Sequence, residues 1–372
     1  MDSVVDFILF FGISIGLFIA SALLLIKRNN TKANLILATI ILLAVVMLIG
    51  RVFYLRYFND IILFRIGTTV DVTVFIFGPL VFYFLNIFLF ENQNVSKLKT
   101  WFFLPSLIYL LFSIWTYNLG IETYYNRVTS GALNKYYFYI EILGIITNSF
   151  FVYKSHKTIG IYKYSVKQNF SFNQNIIKFS NYFLNAYALC IFFWIISFIN
   201  LYLFKNYSKF LSYDSVWIFI PVFIYAIGLN VLTQPEIFKV RINSSSKKNN
   251  QNRIPEHKIL ELETTLNSLL LKEKVYHKSD LSLSDLSDML KISNNDLSWL
   301  INTCFNTNFY EYINRYRVEE FITRIKNGDS KTHTITAIAL DVGFNSKSTF
   351  YKAFKLTTDT TPGEYIKQIN NN

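Results

Sequence analysis

The chain has 372 residues, of which 52% are hydrophobic, 18% aromatic and 16% charged, with a mean hydropathy of +0.31. Soluble proteins are about one quarter charged, so this composition excludes an ordinary soluble protein over the whole length. Residues 1–255 hold 22 of the 36 Lys and Arg residues but 9 of the 24 acidic residues. The basic charge therefore belongs to the apolar first part, and net charge alone gives no reason to expect nucleic-acid binding.

Seven apolar stretches are each long enough to cross a bilayer as a helix, which takes roughly 20 residues. The first has no basic start and no small-residue cleavage site, as is typical of a retained anchor rather than a signal peptide. Backbone groups in hydrocarbon must bond to each other. We therefore predict a seven-helix transmembrane bundle over residues 1–240. The spans are approximately 7–26, 33–55, 68–90, 101–119, 136–153, 180–204 and 214–233.

The distribution of Lys and Arg predicts the orientation. With the N-terminus outside, the inner loops hold ten basic residues and the outer segments hold seven, and four more follow the last span. Basic residues favour the cytoplasmic side. We expect a multi-pass protein of the inner membrane with a cytoplasmic C-terminal domain.

Four ionisable residues, Arg51, Arg65, Asp71 and Glu141, lie in or beside the apolar stretches. Such residues are rare in membranes and often functional. They form either a pocket that binds a signal ligand or a set of interfacial residues that fixes helix packing. No spacing indicates a metal site, a disulfide or a cofactor, and no catalytic set is visible, so we predict no cofactor and no enzyme activity.

Residues 241–255 are predicted to be a basic flexible linker, because NSSSKKNNQNR at 243–253 is polar and lacks periodicity. The next domain, 256–372, opens with an apolar helical stripe. This stripe either docks on the domain that follows or pairs with its copy in a homodimer. It consists of Ile259, Leu262, Leu266 and Leu269.

An internal repeat organises the rest of the chain. Residues of similar type lie 52 positions after each of Leu283, Leu286, Ser287, Leu290 and Ile292. They lie 53 positions after each of Ser293, Leu297 and Ile301. Each copy reads as a short helix with a small inner residue, a turn, an N-cap serine and a second helix. This is the construction of a helix-turn-helix. Between the copies, residues 309–328 read as one long helix that ends at Gly328. At ~1.5 Å per residue, this helix can hold the two motifs in neighbouring major grooves, which lie ~34 Å apart.

Two runs carry a resemblance to a known family. The first run begins at residue 281 and reads LSLSDLSDMLKISNNDLSWLINTCFNTNFYEYINRYRVEE. The second run begins at residue 338 and reads IALDVGFNSKSTFYKAFKLTTDTTPGEY. Together they closely resemble the DNA-binding domain of AraC/XylS-type transcription regulators, over roughly residues 258–370. The first part resembles the membrane domains of some bacterial regulators in architecture only. The resemblance implies an all-helical domain that binds double-stranded promoter DNA.

The same resemblance makes residues 294–303 and 347–355 the two recognition helices. It implies DNA contacts from residues on their outward faces, with Arg315 and Arg317 of the central helix either contacting phosphate or forming internal ion pairs with Glu319 or Asp341. The outward residues are Asn294, Asn295, Ser298 and Trp299 in the first helix and Lys347, Ser348, Tyr351 and Lys352 in the second.

The sequence departs from the family pattern at three turn positions. Lys291 stands where the second copy has Gly343, and Asn306 and Asp359 stand where glycine is common in the family. Asn and Asp tolerate positive φ, so Lys291 is the departure that puts the first turn's geometry in question.

The leading hypothesis is a membrane-anchored transcription regulator whose bundle senses a signal, either a ligand or a membrane partner. In its preferred form, the flexible linker couples the two parts by local concentration, and changing its length alters activity only modestly. One alternative is a transporter or channel with a regulatory DNA-binding tail. An integral-membrane enzyme is a weaker alternative, because it lacks a catalytic set.

Overall fold

The computed structural model describes residues 2–25, 31–56, 60–90, 99–172, 175–204, 213–233 and 255–371. Within these ranges the chain is helical, with one isolated antiparallel bridge between Phe170 and Ser282. The predicted all-α fold class is confirmed. The predicted linker lies outside the described residues, apart from Pro255.

The chain forms two compact units. Unit 1 comprises Met1–Gly160 and Asn175–Ile242, and unit 2 comprises Ile161–Gln174 and Asn243–Asn372. The sequence placed residues 161–174 in a loop of the first domain. The structure instead groups them with the C-terminal domain.

Within the described residues, the first nine helices follow the apolar part of the chain, and a 3₁₀ turn at Thr100–Phe103 leads into the fifth. No proline interrupts the seventh, which is the longest at 36 residues. These helices are α1 (Asp2–Leu25), α2 (Thr31–Arg56), α3 (Ile61–Thr69), α4 (Val72–Phe90), α5 (Leu104–Asn118), α6 (Ile121–Thr129), α7 (Asn134–Asn169), α8 (Asn175–Tyr202) and α9 (Tyr213–Thr233).

Six of the seven predicted spans coincide with stretches that are long and apolar enough to cross a membrane. The remaining predicted span, 136–153, lies in α7, whose tyrosines, Glu141 and Asn148 make it less apolar. Helix α7 also continues to Asn169, where the sequence predicted a loop. Within the described residues, the six stretches are Val4–Leu25, Thr31–Tyr54, Ile61–Phe90, Thr100–Asn118, Asn175–Tyr202 and Val216–Thr233.

Aromatic side chains and close helix contacts hold unit 1 together. Phe183 of α8 lies with its ring centroid 5.1 Å from Phe84 of α4 and 5.5 Å from Phe223 of α9. Helices α1 and α2 approach at Gly16, where a Cβ would lie 2.4 Å from a methyl group of Val45. Small residues at such crossings let membrane helices pack closely.

The described part of unit 2 has two hydrophobic cores, one for each copy of the repeat, and the central helix contributes to both. Phe309 and Ile313 belong to the first core, while Val318 and Phe321 belong to the second. The helices are α10 (Glu256–Leu271), α11 (Leu283–Leu290), α12 (Asn294–Cys304), α13 (Phe309–Lys326), α14 (Ile335–Asp341), α15 (Lys347–Thr358) and α16 (Pro362–Asn371), with 3₁₀ turns at Val275–His277 and Asp329–Lys331.

The apolar stripe of α10 packs on the first core. Leu266 and Leu270 are fully buried there, and Ile259, Leu262 and Leu269 pack against the same cluster. The stripe therefore docks on the domain that follows it, and its apolar residues are covered within the chain.

Candidate functional site

The first helix-turn-helix is fixed by hydrogen bonds at each helix start. The Ser282 hydroxyl accepts from the Asp285 N–H, and the Asp285 carboxylate accepts from the Ser282 N–H, which completes a capping box at α11. Ser293 caps α12 by accepting from the Asp296 N–H at 3.2 Å. Ser287 is the small inner residue, with 1% of its surface exposed. The predicted capping serine, Ser293, and the predicted small residue, Ser287, are thus both in place, and Ser282 adds a second cap.

The second helix-turn-helix repeats this arrangement. Thr334 caps α14 and Ser346 caps α15, each accepting from a backbone N–H three residues on. Ala339, which takes the place of Ser287, is 1% exposed. Gly343 has a φ of 101°, and a Cβ there would lie 2.3 Å from the Tyr276 carbonyl oxygen. Glycine is therefore required at this turn for both its backbone angle and the close approach.

The three departures from the family pattern all adopt left-handed backbone angles. The φ values are 55° at Lys291, 47° at Asn306 and 57° at Asp359. The Lys291 N–H and the following N–H donate to carbonyls near the end of α11, so lysine closes this turn as a glycine would. The first turn thus keeps its geometry, although a non-glycine residue there is strained.

Helix α13 links the two motifs. It has 18 residues, which gives a length of ~27 Å. Asn308 caps its start by accepting from the Glu311 N–H, and Gly328 follows its end with a φ of 92°. This length is close to the ~34 Å that separates successive major-groove faces.

The predicted contact residues differ in accessibility. In α15, Lys347, Ser348 and Lys352 are exposed, and Tyr351 is half-buried against the second core. The Lys347 ammonium lies 5.4 Å from the Tyr351 ring centroid. Helix α15 therefore presents two cations and a hydroxyl outward, a combination suited to phosphate and base contacts.

In α12 one predicted residue is exposed and three are half-buried. Asn295 is exposed, Ser298 is half-buried, and Trp299 packs against the first core. The Asn294 amide oxygen accepts from the Ser287 hydroxyl, which ties this side chain to α11. Asn295 is thus the asparagine whose amide stays accessible for pairing with adenine.

The two arginines of α13 have different environments. Arg315 is 49% exposed and lies 3.8 Å from Glu319. Arg317 has no exposed surface. It forms no ion pair with Glu319 or Asp341 among the described residues. Neither of the two alternatives predicted for Arg317, phosphate contact or an ion pair, is met among the described residues, because its side chain is buried and its partners are carbonyl and amide oxygens.

A family model described as a helix-turn-helix domain matches residues 286–368. The C-terminal domain is an AraC-type helix-turn-helix domain. The chain is also similar to uncharacterized HTH-type transcriptional regulators of Staphylococcus aureus strains COL, MSSA476 and N315. Each is 34% identical over 92 residues, which cover 25% of this chain and 12% of the relative. No solved structure gives a significant match.

Sequence reasoning missed the buried anchor of this helix-turn-helix domain. The Arg317 guanidinium donates to the carbonyl oxygens of Tyr276 and Lys278, both at 2.7 Å, to the Asn314 amide oxygen at 3.0 Å and to the Ser171 carbonyl at 3.3 Å. Burial lowers the pKa of Arg317 to about 10, so it stays charged at neutral pH. One charge thus joins α13, the 3₁₀ turn before α11 and the segment after α7.

That segment is held by its own contacts. The Ser171 side chain is fully buried and its hydroxyl donates to the Leu281 carbonyl at 2.7 Å. The backbone carbonyl of Ser171 also accepts from the Asn314 side-chain amide at 3.0 Å. A sequence signal for this extension exists, since Ser155, Ile159, Tyr162 and Val166 follow helical spacing beyond the predicted span, and all four are buried.

Unit 1 contains a cavity of about 800 Å³ with a charged and aromatic lining. Arg51, Asp71 and Glu141 line it, and Asp71 interacts electrostatically with the other two. Glu141 accepts hydrogen bonds from Trp194 at 3.3 Å, Tyr202 at 3.2 Å and Tyr213. The Arg51 guanidinium lies 5.3 Å from the Trp217 ring centroid. Three of the four predicted intramembrane residues thus line one cavity, whose volume is in the range of small-molecule sites.

The fourth residue, Arg65, lies outside the lining of this cavity. It is 6% exposed and donates to the Leu119 carbonyl at 2.8 Å and to the Tyr117 and Gly120 carbonyls at 3.4 Å. Its guanidinium also lies 4.4 Å from the Tyr124 ring centroid. Arg65 therefore holds the turn between α5 and α6.

Proposed function

We propose that the protein is a membrane-anchored, sequence-specific DNA-binding transcription regulator that binds promoter DNA through two adjacent major grooves. The observation that carries the proposal is the pair of capped recognition helices, α12 and α15, held by one connecting helix. The outward residues Asn295, Lys347, Ser348 and Lys352 supply amide, hydroxyl and ammonium groups that recognise base edges and phosphates. The names of the similar proteins support a regulatory role.

Membrane anchoring is supported by the outward faces of unit 1. Large apolar side chains there are more than half exposed, including Phe7 at 68%, Leu111 at 58%, Phe192 at 54% and Val222 at 54%. An exposed apolar surface of this kind suits lipid and not water. We assign α7 as the seventh span, with its polar residues facing the cavity, so that the N-terminus lies outside and unit 2 in the cytoplasm.

Signal sensing is supported by the cavity of unit 1. Its aromatic walls suit an apolar body, while Arg51, Asp71 and Glu141 offer both signs of charge to a polar head group. A signal that binds one packing of the bundle better than another shifts the population toward that packing.

Chromatin immunoprecipitation of the tagged full chain in its own bacterium tests the DNA-binding part. We expect discrete promoter peaks for the wild type, a loss of peaks for the double variant Lys347→Ala, Lys352→Ala, and no change for Lys272→Ala. Lys272 is an exposed lysine at the end of α10, outside both motifs. Equal occupancy for the wild type and the double variant would overturn the assignment.

Reporter fusions test the orientation. A fluorescent protein that folds only in the cytoplasm, fused after residue 372, should be bright, and alkaline phosphatase fused at the same point should be inactive. The reverse result would place the helix-turn-helix domain away from the chromosome and end the proposal.

A transporter or channel with a regulatory DNA-binding tail is the second candidate, because a charged cavity within a bundle also suits solute passage. Counterflow of radiolabelled amino acids, sugars and organic cations in liposomes that contain the full chain would support it. A bundle that only senses would show no flux above empty liposomes.

A further inference from the structure

The last turns of α7 contact the helix-turn-helix domain at α12 and at the start of α13. The Gln168 side-chain oxygen accepts from the Asn302 amide on α12 at 3.0 Å. Lys167 forms an ion pair at 3.0 Å with Glu311, at the start of α13. We call residues 161–169, the last turns of α7, the docking segment, which stops short of the anchored Ser171.

Asn302 belongs to the stripe of α12 that the proposed function assigns to DNA. It lies four residues after Ser298 and seven after Asn295, so the three share one face. It also donates to the Ser298 carbonyl at 2.6 Å. The docking segment therefore reaches the same face that would contact bases.

Positive charges of the docking segment also act on the second recognition helix. Partial desolvation of this exposed side chain lowers the pKa of Lys352, the positive charges of Lys163 and Lys167 lower it further, and the Glu311 carboxylate acts in the opposite direction. Lys352 lies one turn after Ser348 on the outward stripe of α15. The segment thus contacts α12 directly and acts on α15 through charge.

DNA and the docking segment cannot share this surface. The major groove is ~12 Å wide, and an α-helix with its side chains is ~10–12 Å across. A groove filled by α12 or α15 has no room for a second helix along the same stripe. Contacts to Gln168 and contacts to base edges are therefore alternatives for α12.

We propose that the docking segment is an intramolecular occupant of the DNA-facing surface, so that the docked chain is closed to DNA and undocking opens it. The inference rests on the proposed function and deepens it by naming how DNA binding is regulated. Helix α7 also supplies Glu141 and Asn148 to the cavity of unit 1. A ligand that repositions these residues acts on the same helix that carries the segment.

A charge exchange between Lys167 and Glu311 tests the proposal with the full chain in lipid nanodiscs. The probe is a fluorescent pool of 30-base-pair duplexes with randomised sequence, at low salt. Lys167→Glu and Glu311→Lys each replace attraction by repulsion and should each raise DNA affinity roughly 3- to 10-fold, from the energy of a half-exposed pair. The double variant restores the pair and should return to the wild-type affinity.

The sign of the Lys167→Glu effect decides between docking and simple charge. A segment that only adds positive charge to the DNA site predicts weaker binding for Lys167→Glu, stronger binding for Glu311→Lys, and additive effects in the double variant. That pattern would overturn the proposal. If no protein in the set binds the pool better than Lys347→Ala, Lys352→Ala does, the proposed function itself fails, and the inference fails with it.

A cross-link provides a second measurement that does not depend on charge. Gln168→Cys with Asn302→Cys, in a Cys304→Ser background because Cys304 is exposed, is treated with a short bis-maleimide. We expect the same protein to lose at least ~90% of its DNA binding after cross-linking, while protein with Gln168→Cys alone is unaffected by the reagent. Unchanged binding by the cross-linked protein would show that docking and DNA are compatible.

Discussion

Replacement of Arg317 by methionine should destabilise unit 2 strongly, because Arg317 has no exposed surface and its four hydrogen bonds reach three chain segments. Two acceptors keep another donor, since Lys278 O accepts from the Leu281 N–H and Ser171 O from the Asn314 amide. Among the described residues, the Tyr276 carbonyl and the Asn314 amide oxygen are left without one.

The size of the effect follows from those two acceptors. Each buried polar group that loses its partner costs ~1–3 kcal/mol. The methionine stem fills much of the space and removes the desolvation penalty of a buried charge, which offsets part of this loss. We expect Arg317→Met to lower the free energy of unfolding of unit 2 by about 3 kcal/mol, which corresponds to roughly a 100-fold change in the opening equilibrium.

Hydrogen exchange of the full chain in nanodiscs measures this change, because amides in α11 and α13 exchange through opening of unit 2. The matched control is Arg315→Met, which removes a half-exposed arginine and one ion pair from the same helix; such surface pairs contribute only ~0.5 kcal/mol. Exchange in Arg317→Met within about threefold of the wild type would refute the role of Arg317 as an anchor.

Three further substitutions test the helix-turn-helix domain by the same exchange measurement. Gly343→Ala should cost at least ~2 kcal/mol, because its Cβ would meet a backbone oxygen and φ is 101°; near-native protection would refute the close approach. Lys291→Gly should instead stabilise unit 2 by up to ~1 kcal/mol by relieving a φ of 55°, and any loss of stability would contradict this account. Leu266→Ala should cost ~2–5 kcal/mol because Leu266 is fully buried in the first core, whereas Leu260→Ala, at a site 69% exposed, should have little effect; equal effects would rule out docking of α10.

The helix-turn-helix domain was predictable from sequence because short-range chemistry fixes its elements. Ser293 is an N-cap and marks where α12 begins, Pro362 opens α16, and Gly328 follows the end of α13. Thr361 and Glu364 form a capping box at the start of the same helix. Each of these signals acts over three or four residues, which is the range a sequence pattern can report.

The role of Arg317 was not predictable in this way. Its acceptors on Ser171 and Tyr276 are separated from it by 146 and 41 residues. An arginine on a predicted DNA-binding helix looks like a phosphate contact until the segment that covers it is known. Burial of a charge is decided by such long-range packing, and no local pattern records it.

The extension of α7 changes the expected coupling between the bundle and the DNA-binding domain. Coupling of the bundle to the DNA-binding domain by local concentration requires that the flexible linker before residue 256 is the connection that matters. Residues 161–172 pack on α12 and α13 within unit 2, and α7, which carries residues 161–169, begins at Asn134. A helix transmits rotation and translation, whereas a flexible linker transmits only proximity. A change in linker length should therefore have a modest effect in either case.

A break in α7 just before the docking segment, such as Gly160→Pro, separates the two mechanisms. If α7 transmits the signal, DNA binding in this variant should no longer respond to the signal. If proximity alone transmits the signal, the response should stay intact.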